Sequence, residues 1–149
     1  MKPVLLVEDT QTDILLMRHA WREVEVPNPL QTVEDGQSAI DYLGGVGRYA
    51  DRTAHPLPCL VLLDLKIPYF SGFEVLQWIR RQPALKALPV IILTSSSNDA
   101  DISEAYRLSA NAYIEKPMGL PRLLEMVTHL RGFWLELNRS PYDALQPLS

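Results

Sequence analysis

The stretch Leu60-Val61-Leu62-Leu63-Asp64-Leu65-Lys66-Ile67-Pro68-Tyr69-Phe70-Ser71-Gly72 decides the reading of this chain. Four aliphatic residues run without polar alternation into a carboxylate, the pattern of a strand covered on both faces. Asp64 then stands where the strand leaves the core. Pro68 and Gly72 turn the chain at once, and a helical pattern starts near Phe73. A carboxylate at the end of a buried strand is costly unless something stabilises its charge. Asp64 is therefore the candidate working residue.

The same pattern recurs on either side. Val4 to Val7 is a short apolar run ending in Glu8-Asp9, and Pro89 to Leu93 ends in Thr94-Ser95. Ala112 to Ile114 leads into Glu115-Lys116-Pro117, and Leu30 to Val33 is a weaker strand candidate. Between them, helical spacing predicts helices over about 11–25, with the hydroxyls of the stretch Thr10 to Asp13 placed to cap the first, and over 38–43, 73–82, 99–108 and 121–137. Residues 44–58 form a long loop rich in glycine and proline. Five βα repeats imply an α/β fold with a parallel sheet and helices on both faces. Right-handed crossovers bring every strand C-terminus to one edge, where sites form in such folds. Glu8, Asp9, Asp64, Thr94, Ser95 and Lys116 should therefore meet.

Composition narrows the classes. The chain has 149 residues, 47% apolar and 21% charged, a net charge of −4 and one cysteine, Cys59. This fits one domain over residues 1–137 with a loose tail over 138–149. The charge argues against nucleic-acid binding, and a lone cysteine excludes an intrachain disulfide and disfavours a thiolate zinc site. No apolar run approaches a membrane span and no leader pattern is visible, so the cytoplasm is the expected location.

Three clustered carboxylates repel one another unless a hard divalent cation such as Mg²⁺ joins them. A carboxylate beside that cation is a phosphoryl acceptor. Lys116 and the hydroxyls of Thr94 and Ser95 would contact the phosphoryl oxygens. Taken singly, Asp9 could cap a helix, Asp64 could sit in a turn, Lys116 could be solvated and Tyr113 merely packed. Their convergence at four strand ends makes phosphoryl transfer to Asp64 the stronger reading.

Glu8-Asp9, Asp64 with Pro68 and Gly72, Thr94-Ser95 and Tyr113-Ile114-Glu115-Lys116-Pro117 resemble the response-regulator receiver (CheY-like) domains of two-component signalling. The resemblance spans about residues 3–135. It implies a doubly wound (βα)5 sheet of order 2-1-3-4-5, the order of CheY itself. It also implies a phosphohistidine donor on a sensor histidine kinase. Asp9, Asp64 and the backbone carbonyl of Lys66 would ligate Mg²⁺, with Glu8 acting through water. Lys116–Pro117 would be a cis peptide. Thr94 and Tyr113 would form a switch pair, the tyrosine ring turning inward on phosphorylation.

The loop 44–58 and the segment Phe133 to Leu137 resemble more narrowly the small response regulators paired with bacterial phytochromes. An aspartyl-phosphate phosphatase of the dehalogenase type is the competing enzyme class, but its second aspartate falls at Lys66. A pseudo-receiver is the third reading, and the intact acids and Lys116 speak against it. No output domain follows residue 149, so output through protein contacts is expected. Met126, Phe133 and Leu137 lie on an arc of the last helix beside its main apolar stripe. They predict a homodimer face, unless the tail covers them.

Overall fold

The computed structural model describes residues 1–145. Five strands alternate with helices: β1 (Val4–Val7), α1 (Gln11–Glu23), β2 (Leu30–Val33), α2 (Gly36–Gly44), β3 (Leu60–Leu63), α3 (Gly72–Arg81), β4 (Val90–Thr94), α4 (Asp99–Arg107), β5 (Ala112–Glu115) and α5 (Leu120–His129). The sheet is wholly parallel, in the order β2-β1-β3-β4-β5. This is the doubly wound CheY-like fold that the βα repeat implies.

The uninterrupted apolar strands have a direct cause. Successive side chains on a strand point to opposite faces, and each face has its own core. Val4, Leu6, Leu60 and Leu62 pack with Ile14, Met17 and Trp21 of α1 and Leu123 and Val127 of α5. Leu5, Val7, Val61 and Leu63 pack with Tyr42 and Leu43 of α2 and Val75, Leu76 and Ile79 of α3. Helix α4 adds only Ala105 as a buried residue, which explains its weak amphipathic pattern.

Three regions depart from expectation. The segment 44–58 contains a 3₁₀ turn, Gly47–Tyr49, and is pinned by Arg52. The Arg52 guanidinium donates to the Tyr42 and Leu43 carbonyls at 2.7 and 2.8 Å, satisfying acceptors at the end of α2. Helix α5 turns π-helical over Leu130–Leu137, closed by the Asn138 amide on the Phe133 carbonyl at 2.7 Å.

The tail is the third departure. It is not loose up to residue 145: α6 (Pro141–Leu145) follows, and the Tyr142 ring is fully buried beneath the Lys2 ammonium. Periodicity gave no sign of this, because one aromatic ring anchors the whole segment. The tail therefore docks at the strand N-terminal end. Phe133 and Leu137 remain exposed, at 50% and 73%. Leu148, one of the tail residues that could have covered them, lies outside the described residues.

Candidate functional site: an acidic pocket at the strand C-termini

Parallel pairing places the site. Val7 of β1 stands beside Leu63 of β3, so the next residues, Glu8 and Asp64, leave the sheet side by side. The Asp64 amide donates to the Val7 carbonyl at 3.1 Å and the Glu8 amide to the Val33 carbonyl at 3.0 Å. One strand further, the Lys116 amide donates to the Thr94 carbonyl at 2.7 Å. Backbone ladders thus extend one residue past the strands and fix the origin of each functional side chain.

The loop carrying Asp64 is held by two close approaches. A Cβ on Gly72 would lie 2.3 Å from the Asp64 carbonyl oxygen, and one on Gly36 would lie 2.2 Å from that of Phe70. The amides of these glycines donate to the Leu65 and Pro68 carbonyls at 2.9 and 3.1 Å. Helix α3 then starts with a capping box between Ser71 and Glu74. Between the two braces, Tyr69 takes a left-handed φ of 68°, uncommon for a bulky residue.

The charges converge on Lys116. Its Nζ lies 2.5 Å from Glu8 Oε1, 2.9 Å from Asp13 Oδ2 and 2.9 Å from Asp64 Oδ2. Burial works against the ammonium, yet hydrogen bonds to Glu8, Asp13 and Asp64 outweigh it and hold the Lys116 pKa above the usual lysine value. Burial pushes the Glu8 carboxyl upward, and the neighbouring Asp64 charge adds to the rise. Lys116 and the Thr10 amide oppose it. Glu8 and Asp64 are buried, whereas Asp9 is exposed.

Glu8, Asp9 and Asp64 each offer an oxygen within 4.8 Å of the others. An all-carboxylate donor set of this kind suits a hard divalent cation, so the residues present fit a metal. Lys66 is exposed, its backbone amide facing Asp64 Oδ1 at 3.4 Å.

Thr94 is fully buried at the end of β4, and Ser95 beside it is exposed. The Ser96 amide reaches Thr94 Oγ1 at 3.5 Å. Tyr113 packs against the α2–α3 core, and its hydroxyl donates to the Ser96 carbonyl at 2.9 Å. No cis peptide occurs among the described residues, so the expected cis bond at Lys116–Pro117 is corrected to trans. Trans is the lower-energy isomer of an X–Pro bond by ~0.5–1 kcal/mol. Lys116 already reaches all three carboxylates from this backbone.

Two residues escaped the sequence reading. Asp13, in the first turn of α1, lies in the stretch whose hydroxyls the sequence places as caps, and it has no role of its own in that reading. Thr10 makes no side-chain cap bond; its amide donates to Glu8 Oε2 at 3.1 Å, and Asp13 turns to Lys116. The available signal was an acid at the site-facing end of a helix. Ser96 ties the β4–α4 loop through its carbonyl and through its hydroxyl, which donates to Asp101 Oδ2 at 2.7 Å. Its place in a run of three serines hid that role.

Comparison with known proteins agrees with this arrangement. The response regulator receiver domain family matches residues 4–128. The probable methanogenesis regulatory protein FilR2 of Methanothrix harundinacea is 37% identical, over 95% of this chain and 88% of its own. Response regulator Rcp1 of Synechocystis is 38% identical, over 91% of this chain and 90% of its own. The Mn²⁺-bound structure of Rcp1 superposes with a TM-score of 0.84 at 37% identity, covering 95% of this chain and 99% of that one. The phosphorylated cyanobacterial phytochrome response regulator RcpA gives a TM-score of 0.86 at 40% identity, covering 94% of this chain and 98% of that one. With the fold, the strand-end acids and Lys116 in register, the chain belongs to the response regulator receiver domain family.

Proposed function

We propose that this chain accepts a phosphoryl group on Asp64 from the phosphohistidine of a sensor histidine kinase and signals through protein contacts. The observation carrying this reading is the contact of Asp64 Oδ2 with Lys116 Nζ at 2.9 Å, beside two further carboxylates. The P–N bond of the donor breaks as an O–P bond forms to Asp64, and the histidine leaves with the electron pair of the broken bond. Asp64 is nearly desolvated, so little water masks the oxygen that attacks phosphorus. Lys116 meets the added negative charge, and the hydroxyls of Thr94 and Ser95 take further phosphoryl oxygens.

Asp9, Asp64 and the Lys66 carbonyl would hold Mg²⁺, with Glu8 acting through water. When bound, the ion neutralises phosphoryl oxygens during transfer. The chain is then a phosphoacceptor with self-dephosphorylation only. Lys66 stands where phosphatases of the dehalogenase type have their second aspartate, the general acid, which speaks against that chemistry. The likeness to RcpA supports a phytochrome as the cognate kinase, and the comparable likeness to FilR2 makes that the part to test first. Met126 lines an open groove with Phe133, and Leu137 is exposed beyond it. This supports a homodimer through the last helix, which Phe133→Glu/Leu137→Glu would make monomeric in sedimentation at tens of micromolar.

The deciding experiment is transfer from a phosphohistidine donor, including a phosphorylated phytochrome kinase, to wild type and to Asp64→Asn. Wild type is expected to be labelled only with a divalent cation present, and the variant not at all. Labelling of Asp64→Asn at the wild-type rate, or equal labelling in excess chelator, refutes the reading.

A further inference from the structure

Asp13 is the acid that phosphoacceptor chemistry leaves without a task. The carboxylates that converge on a common point are Glu8, Asp9 and Asp64. Asp13 stands outside that group, yet its Oδ2 is as close to Lys116 Nζ as is Asp64 Oδ2, at 2.9 Å. An ammonium has three hydrogens to donate, and Glu8, Asp13 and Asp64 take one each. A phosphoryl oxygen on Asp64 can therefore reach Lys116 fully only by displacing a partner.

Of the two partners that do not carry the phosphoryl group, Glu8 and Asp13, burial decides which yields. The Glu8 side chain is 3% exposed, and without Lys116 its charge would keep only the Thr10 amide. The Asp13 side chain is 38% exposed, so water can replace the lysine there at little cost. Space exists for the exchange. A small cavity of about 60 Å³ beside Asp13 and Lys116 is bounded by α1 and by Leu123 of α5, and its other walls are largely apolar. Charge acts in the same sense: Asp13 adds a negative charge to a pocket that must take up a phosphoryl anion.

We propose that Asp13 is a positioning residue that draws Lys116 toward α1 and competes with a phosphoryl group on Asp64 for the ammonium, so setting how tightly the site retains that group. The inference rests on Asp64 being the phosphoacceptor. A purely structural role for Asp13, complementing the start of α1 with a negative charge, predicts a change in stability and no selective change in ligand affinity.

The test is titration calorimetry of wild type, Asp13→Asn and Asp13→Glu with Mg²⁺ alone, and with beryllofluoride at saturating Mg²⁺. Beryllofluoride adds to a carboxylate oxygen in the geometry of a phosphoryl group. Removing a half-exposed charge should shift each affinity by about 2–5-fold, with opposite signs. Asp13→Asn binds beryllofluoride more tightly and Mg²⁺ more weakly, and Asp13→Glu returns both toward wild type. Asp13→Ser, a residue that helix starts accept, repeats the Asn result. Unchanged affinities, or both shifted in one direction, overturn the inference alone. Wild type that fails to bind beryllofluoride with Mg²⁺ overturns the phosphoacceptor reading, and this inference falls with it.

Discussion

The Tyr113 hydroxyl donates to the Ser96 carbonyl at 2.9 Å, while the Ser96 amide faces Thr94 Oγ1 at 3.5 Å. One residue thus links the buried threonine at the pocket to a tyrosine at the edge of the sheet. A pull on Thr94 by a phosphoryl oxygen would move the Ser96 amide, and with it the acceptor of Tyr113. Such coupling is a shift between two packed arrangements. Tyr113→Phe should cost ~0.5–1.5 kcal/mol, the net value of one hydrogen bond. In a double-mutant cycle with Thr94→Val, measured by urea unfolding, the losses should be non-additive. Strict additivity would mean that Ser96 does not couple them.

Gly72 is the close approach that bears directly on Asp64. Gly72→Ala forces its Cβ against the Asp64 carbonyl, a backbone atom that cannot turn aside. Overpacking of this kind costs ~1–3 kcal/mol. Phosphoryl acceptance should fall further than stability alone explains, because Asp64 itself moves. A variant with wild-type melting temperature and wild-type labelling would show that the loop can relax.

Tyr142 should behave as a core residue although it lies in the tail. Tyr142→Ala is expected to lose ~3–5 kcal/mol, as for a buried aromatic. The Tyr142 hydroxyl is buried and has no hydrogen-bond partner among the described residues. Tyr142→Phe should therefore be neutral or stabilising. Thermal melts of the two variants check both signs.

The same docking should control Cys59. Burial first, and the nearby Asp143 carboxylate second, push its thiol up to about 11. A raised folded pKa contributes stability that is complete below the unfolded thiol value of about 8.5. That contribution is lost as pH rises through about 11. Alkylation at pH 8 should be slow, with a rate that climbs toward pH 11. Truncation after Leu137 removes Asp143 and the cover of Tyr142, and should accelerate labelling markedly. Equal rates in the full and truncated chains would separate Cys59 from the tail.

Much of this protein was determined by its sequence alone. Leu60 to Leu63 and Val90 to Leu93 are apolar without alternation and bounded by turn residues, a pattern that a strand between two helical layers satisfies. Repetition of that pattern makes the sheet parallel, and a parallel sheet gathers Glu8, Asp64, Thr94 and Lys116 at one edge. Strand-end chemistry is legible because topology converts position in a strand into position in space. Tertiary structure decided what depends on side-chain direction and long-range fit. Asp13 joins Lys116 across 103 residues of chain, Ser96 bridges Thr94 and Tyr113, and Tyr142 closes the floor of the sheet. None of these has a periodic signature, since each rests on a single side chain finding a partner that only the folded chain brings within reach.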